Sequence, residues 1–193
     1  PVGVTSLFKG GLASITILLT IAYFGNVGTY YYFVKWIPTI VADFGYSASE
    51  ATKVLGVISL GGVIGSIAMG IITRFIPIKA MMVVCLISAA IGVSLFPYAT
   101  ETLESMKQIG FITGIFIFAA ISGFFALFDS SFPSSLLGSG SGLVLGLGRG
   151  GAVLGPMIPG FLFAAGVALE SVALIMAAGS ILAGVVVILF RQD

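Results

Sequence analysis

Few residues of this chain can do chemistry, and those that can are mostly charges held among apolar neighbours. Of 193 residues, 8 are Lys or Arg and 7 are Asp or Glu, and histidine is absent. Without histidine there are no His–metal sites, no imidazole bases and no haem ligation by histidine, so most membrane proteases and oxidoreductases are excluded. Cys85 is the single cysteine; it can form no intramolecular disulfide and sits in an apolar run as inert packing. No catalytic residue, metal site or cofactor is therefore assigned. What remains is Arg149, alone inside an apolar stretch, with Asp129 at the end of the preceding stretch and Arg74 in a short polar segment.

The elements that position these charges follow from composition. The chain is 59% hydrophobic and 8% charged, with a mean hydropathy of +1.22, against a charged fraction of about 25% in soluble domains. It reads as an all-α integral membrane protein. Apolar runs at residues 12–34, 54–73, 80–97, 109–133, 142–167 and 171–190 are each close to the ~20 residues that cross a ~30 Å hydrocarbon layer. An arginine at that depth is costly enough to be a functional-site hypothesis by default. The net charge of +1 and the scattered basic residues imply no nucleic-acid partner. The lipid bilayer is the first partner.

Six crossings put both ends on one side. Lys9, Arg74, Lys79 and Arg191 fall on that side, against Lys53 and Lys107, with Lys35 near the far end. The positive-inside rule makes both ends of this segment cytoplasmic, in a plasma or inner membrane. Pro1 to Gly10 carries no initiator methionine, leading basic cluster or cleavage site, so it does not read as a signal peptide; the expectation is that the chain begins mid-protein.

Helical spacing nominates further residues. Tyr23, Asn26 and Tyr30 share a face of the first span at i, i+3, i+7. Asn26 and Tyr30 are candidates for substrate contact, with plain packing as the alternative. Ser122 and Phe125 join them because both lie past the middle of the fourth span, at i, i+3. Gly142, Gly146 and Gly150 recur every four residues and strip one face of side chains, the pattern of close helix packing. Gly155-Pro156 is expected to interrupt that helix and serve as a hinge. Gly146 to Gly151 satisfies G-x-G-x-x-G literally, but no strand precedes it, so a dinucleotide site is discounted.

Phe132-Pro133, Gly140-x-Gly142, Gly148-Arg149, Gly151 and Gly155-Pro156 together resemble the eleventh-helix region of major facilitator transporters, in the aromatic-acid/proton symporter and organic-ion branch. Trp36-Ile37-Pro38-Thr39 resembles the end of that family's seventh helix, and Arg74-Phe75 its loop between helices eight and nine. The chain departs from the pattern at Leu137, where relatives carry arginine, and at Thr73 and Ile76, where they carry aspartate and glycine. The resemblance implies a six-transmembrane-helix bundle corresponding to helices 7–12. It also implies the C-terminal half of a secondary active transporter, moving a small organic solute of anionic type by alternating access with proton coupling. An N-terminal six-helix half, absent here, is then a required partner.

No carboxylate lies mid-span, so a proton-binding acid is expected in that other half. Asp129 is expected to pair with Arg149 at a cytoplasmic gate, with Arg74 competing for it. The alternatives are a self-standing six-helix permease acting as a homodimer and a non-transporting membrane scaffold.

Overall fold

A computed structural model describes residues 4–189. Phe190 and Arg191, which enter the sixth predicted span and the charge count, lie outside the described residues. Within these bounds the regular elements are helical. They are α1 (Gly11–Asp43), α2 (Ala48–Ile72), α3 (Ile78–Leu95), α4 (Leu103–Ser131), α5 (Leu137–Gly148), α6 (Gly150–Ala164) and α7 (Leu169–Leu189), with 3-10 turns at Val4–Phe8 and Phe96–Ala99. α5 and α6 together make one crossing, so six helical segments are long and apolar enough to span a membrane.

The helix ends follow local chemistry. The Ser47 hydroxyl accepts from the Glu50 amide at 3.3 Å while the Glu50 carboxylate accepts from the Ser47 amide at 2.8 Å, a reciprocal cap that starts α2. Thr102 caps α4, accepting from the Ser105 amide at 3.1 Å. Gly45 at φ 88° and Gly166 at φ 78° turn the chain just past α1 and α6, in the left-handed region that glycine enters without penalty.

Several boundaries differ from the sequence-based expectation, α2 and α4 starting six residues early at Ala48 and Leu103. α1 does not stop at Val34 but runs through Lys35 and Pro38 to Asp43. A proline within a helix removes one amide donor and need not end it, and the helix carries on where the hydrocarbon-compatible run stops. The fifth crossing starts at Leu137, five residues before the expected Gly142.

Packing is close at glycine. In lipid no hydrophobic force drives helix on helix, so contact depends on backbones approaching through small residues. α2 and α4 share the most extensive contact in the bundle. At its centre Gly61 and Gly65 abut the Phe111 and Ile115 carbonyls, and Gly114 abuts the Ile58 carbonyl. Outward-facing Leu60, Ile64, Ile67, Leu174, Ile181 and Ile188 are exposed, as a lipid-facing surface requires.

α1 is held to α7 by polar bonds as well. Gly25 lies against Gly179, where an added Cβ would stand 2.6 Å from the Gly179 carbonyl oxygen. The buried Thr29 hydroxyl donates to the Met176 carbonyl at 2.6 Å and accepts from the Ser180 amide at 3.1 Å. It thus bridges two α7 backbone groups four residues apart. Thr29→Val preserves shape and removes both bonds; the expected loss is ~0.5–1.5 kcal/mol, read as a lower thermal midpoint in detergent, with Thr29→Ser restoring most of it.

Candidate functional site

The fifth crossing is broken at Arg149. This residue ends α5 and begins α6 with φ −65° and ψ −12°. Its amide donates to the Leu145 carbonyl at 3.0 Å, while its own carbonyl accepts from the Ala152 amide at 2.9 Å. The second bond spans three residues, a local 3-10 tightening of the kind that marks hinges. Gly146, Gly148, Gly150 and Gly151 surround it, and each weakens the helix by ~1 kcal/mol relative to alanine. Twelve residues of α5 precede the break, so Arg149 lies ~18 Å along the crossing at 1.5 Å per residue. That is near its middle.

The expected interruption at Gly155-Pro156 does not occur, and α6 runs unbroken through Pro156 and Pro159. The pair docks on α1 instead. A Cβ on Gly155 would stand 2.6 Å from the Gly28 carbonyl oxygen, and the Trp36 indole N–H donates to the Pro156 carbonyl at 3.0 Å. These contacts hold the helix through the point where proline deprives it of a donor. The stripe read as packing also changes. Gly142 and Gly146 have no neighbour within 4 Å of a Cβ position and face open space in this chain. Close contact falls to Gly148 against the Tyr23 ring, Gly150 against the Phe24 ring and Gly151 against the Phe24 carbonyl.

Arg149 is exposed and follows Gly148, which lies against the Tyr23 ring. The Tyr23 ring is fixed by edge-on contacts to Phe124 at 5.3 Å and Phe128 at 5.7 Å. The site thus places an exposed cation on a helix break in mid-span, next to an aromatic cluster.

Of the other candidates, Tyr30 is half-buried and edge-on to Phe118 and Tyr31, both at 5.1 Å. Phe118, Ser122 and Phe125 follow one face of α4 at i, i+4, i+7. Ser122 donates to the Ser66 hydroxyl of α2 at 3.0 Å, and Phe125 is exposed beside Phe128. Tyr30, Ser122 and Phe125 therefore belong to one aromatic and hydroxyl-bearing strip. Phe118 and Ser66 were not nominated from the sequence; Phe118 could have been found at i−4 from Ser122.

Asn26 is a correction. It is completely buried, its Oδ1 accepts from the Ser180 hydroxyl at 3.0 Å, and its Nδ2 has no partner. At ~100° per residue it lies about 40–60° round the helix from Tyr30 and Tyr23, enough for α7 to cover it. It belongs to the α1–α7 core.

The expected pair of Asp129 with Arg149 is not formed. Asp129 is exposed two residues before the end of α4, whereas Arg149 lies half a crossing deeper because α5 starts early. Arg74 is likewise exposed, in the turn between α2 and α3, and makes no ion pair with Asp129; among the described residues the ion pair is Lys107 with Glu104, at 3.5 Å. Among the described residues no three His, Cys, Asp or Glu side chains converge on a metal-sized site.

The chain is 26% identical over 189 residues to the 3-(3-hydroxy-phenyl)propionate transporter of Escherichia coli, a match covering 97% of this chain and 46% of that protein. It is 29% identical to the 4-hydroxybenzoate transporter PcaK of Pseudomonas aeruginosa, over 86% of this chain and 37% of that protein. With the gentisate transporter of Corynebacterium glutamicum it shares 30% identity, over 85% and 37%. The chain spans less than half the length of each of these relatives. A family model described as Major Facilitator Superfamily matches residues 19–193, and with six helical crossings of the order described above, the chain belongs to that superfamily.

Proposed function

We propose that the chain is the C-terminal half of a secondary active transporter that moves a small organic anion of the aromatic-acid class. The observation that carries this is Arg149, a cation exposed at mid-crossing on a helix break near Tyr23. A substrate carboxylate would meet the guanidinium, and its ring would lie along the strip formed by Tyr30, Phe118, Ser122 and Phe125. The named activities of the relatives, all acting on aromatic acids, support the class. Their greater length supports an N-terminal six-helix half as the partner that closes the cavity.

Alternating access would then rock the two halves about this face, with α5 and α6 flexing at Arg149. Both ends of the chain lie in the cytoplasm on this reading, by the basic residues of the short loops. Coupling to protons would rest on an acid of the N-terminal half, since no Asp or Glu of this chain lies in the middle of a crossing. Uptake of labelled 4-hydroxybenzoate into proteoliposomes by the intact protein, with and without an inward proton gradient, tests the proposal. Gradient-stimulated, saturable uptake is expected; uptake indistinguishable from empty liposomes for a panel of aromatic acids would refute it.

Arg74 and Asp129 sit at the same end of the bundle and are proposed to pair in one access state and part in the other, biasing the equilibrium between them. In double-mutant cycles on transport, Arg74→Gln with Asp129→Asn is expected to deviate from additivity by at least ~0.5 kcal/mol. Arg149→Gln with Asp129→Asn is expected to be additive, given their difference in depth. The reverse pattern would assign the gate to Arg149.

A further inference from the structure

We propose that a cleft between the C-terminal ends of α1 and α6, at the end of the bundle away from the Arg74 turn, binds an organic ammonium group. The cleft is about 350 Å³ and is lined by Trp36, Ile40, Asp43, Phe44, Phe163 and Leu169. Its size is that of a small-ligand pocket, at the lower end of the ~300–1,000 Å³ range.

Three features select charge and type. Asp43 is the single ionisable group of the lining. It is the last residue of α1, where the helix dipole is already negative, and neither α1 nor α6 carries a basic residue in its last turn. A carboxylate at a helix C-terminus is unfavourable unless a cation joins it. Lys35 does not supply that cation from the lining: Trp36, Ile40 and Asp43 follow one helical stripe at i, i+4, i+7, and Lys35 is off it. α7 begins beside the cleft at Leu169, and Glu170 in its first turn offsets the positive end of that helix.

The aromatic walls then choose an organic cation over a metal ion. Trp36 and Phe163 pack with ring centroids 4.9 Å apart at 53°, and the Trp36 N–H is already committed to the Pro156 carbonyl. Indole and phenyl faces attract an ammonium within ~6 Å, whereas Ca²⁺ or Mg²⁺ requires several oxygen ligands and would find one carboxylate. Trp36 is also the residue type that sits at the membrane–water boundary, so the ammonium could come from a phospholipid headgroup or from a soluble amine. The site does not depend on the transport reading.

The test uses the intact protein in nanodiscs of phosphatidylglycerol, titrated calorimetrically with tetramethylammonium chloride against matched sodium chloride. Saturable binding is expected, weakened about tenfold in Asp43→Asn, between the effect of an exposed and a buried charge pair. Phe163→Leu, which leaves the charge in place, is expected to weaken it as well. Repeating the titration in nanodiscs containing phosphatidylethanolamine separates the sources: binding lost to competition identifies a lipid headgroup, and binding retained identifies a soluble amine. Tetramethylammonium binding no better than sodium, or binding unchanged in both variants at unchanged thermal midpoint, overturns the proposal.

Discussion

Gly65→Val is expected to prevent stable assembly of the bundle, with membrane-integrated protein falling to a small fraction of the parent. Gly65 lies where α2 crosses α4, and a Cβ there would overlap the Ile115 backbone carbonyl. A side chain in the way could rotate aside, but a carbonyl within α4 cannot. The two helices would have to separate along the widest contact of the fold, losing the fit of Gly61, Gly114 and Ile58 together. Overpacking of one site costs about 1–3 kcal/mol, and more where the backbone itself must move. The control is Gly70 on the same helix, with nothing within 4 Å of a Cβ position. Gly70→Ala is expected to leave abundance and thermal midpoint unchanged. If both substitutions reduced abundance equally, the contact at Gly65 would not be the cause, since alanine for glycine by itself favours the helix.

Arg149→Gln is expected to lower uptake of an aromatic acid about 100-fold, as loss of one partner from a desolvated charge-assisted contact removes about 2–5 kcal/mol of binding. Abundance should be unaffected, since the side chain is exposed in this chain and supports no packing. The deficit should appear first as a raised KM, with Arg149→Lys recovering part of it because charge returns without the planar fork. Tyr23→Phe keeps the ring contacts with Phe124 and Phe128 and removes only the hydroxyl, so a smaller deficit is expected. Uptake by Arg149→Gln at the parent rate would move the substrate anion elsewhere.

The membrane character and the number of crossings were legible in the sequence because uninterrupted apolar runs of this length have few other uses. Helix ends were less so: a run of hydrophobic residues ends at Lys35, but helical hydrogen bonding carries α1 to Asp43. Proline chemistry alone places the interruption at Gly155-Pro156, whereas the structure breaks the helix earlier, at Arg149. A proline can remain within a helix when another segment docks there, and the Trp36 and Gly28 contacts that do so join residues more than a hundred positions apart.

The glycine stripes show the same limit. Spacing identifies that Gly142 and Gly146 lie on one face and Gly148, Gly151 and Gly155 near another, but only the neighbouring helix decides which is a contact. Asn26 looked like a cavity residue because a polar group in a crossing must point inward; inward toward α7 and inward toward a cavity are the same to a helical wheel. Arg149 itself was found readily, since a lone cation in an apolar run has no bland explanation.

The crossings are of unequal length, and this sets how the bundle meets the bilayer. α1 has 33 residues, and α7 has 21 up to the last described residue, Leu189, or ~50 Å and ~32 Å at 1.5 Å per residue. The described part of α7 is already enough to cross a ~30 Å hydrocarbon layer. For α1 to fit the same thickness by tilt alone would require ~53°, beyond the ~40° seen for membrane helices. Its ends must stand in the headgroup region, carrying Trp36 to Asp43 to the lipid–water boundary. A change in membrane thickness would therefore act unevenly on two helices that Thr29 and Gly25 hold together, shifting the depth at which the far end of α1 sits without stretching α7. Hydrophobic mismatch becomes a mechanical input to the bundle, applied where α1 and α6 end.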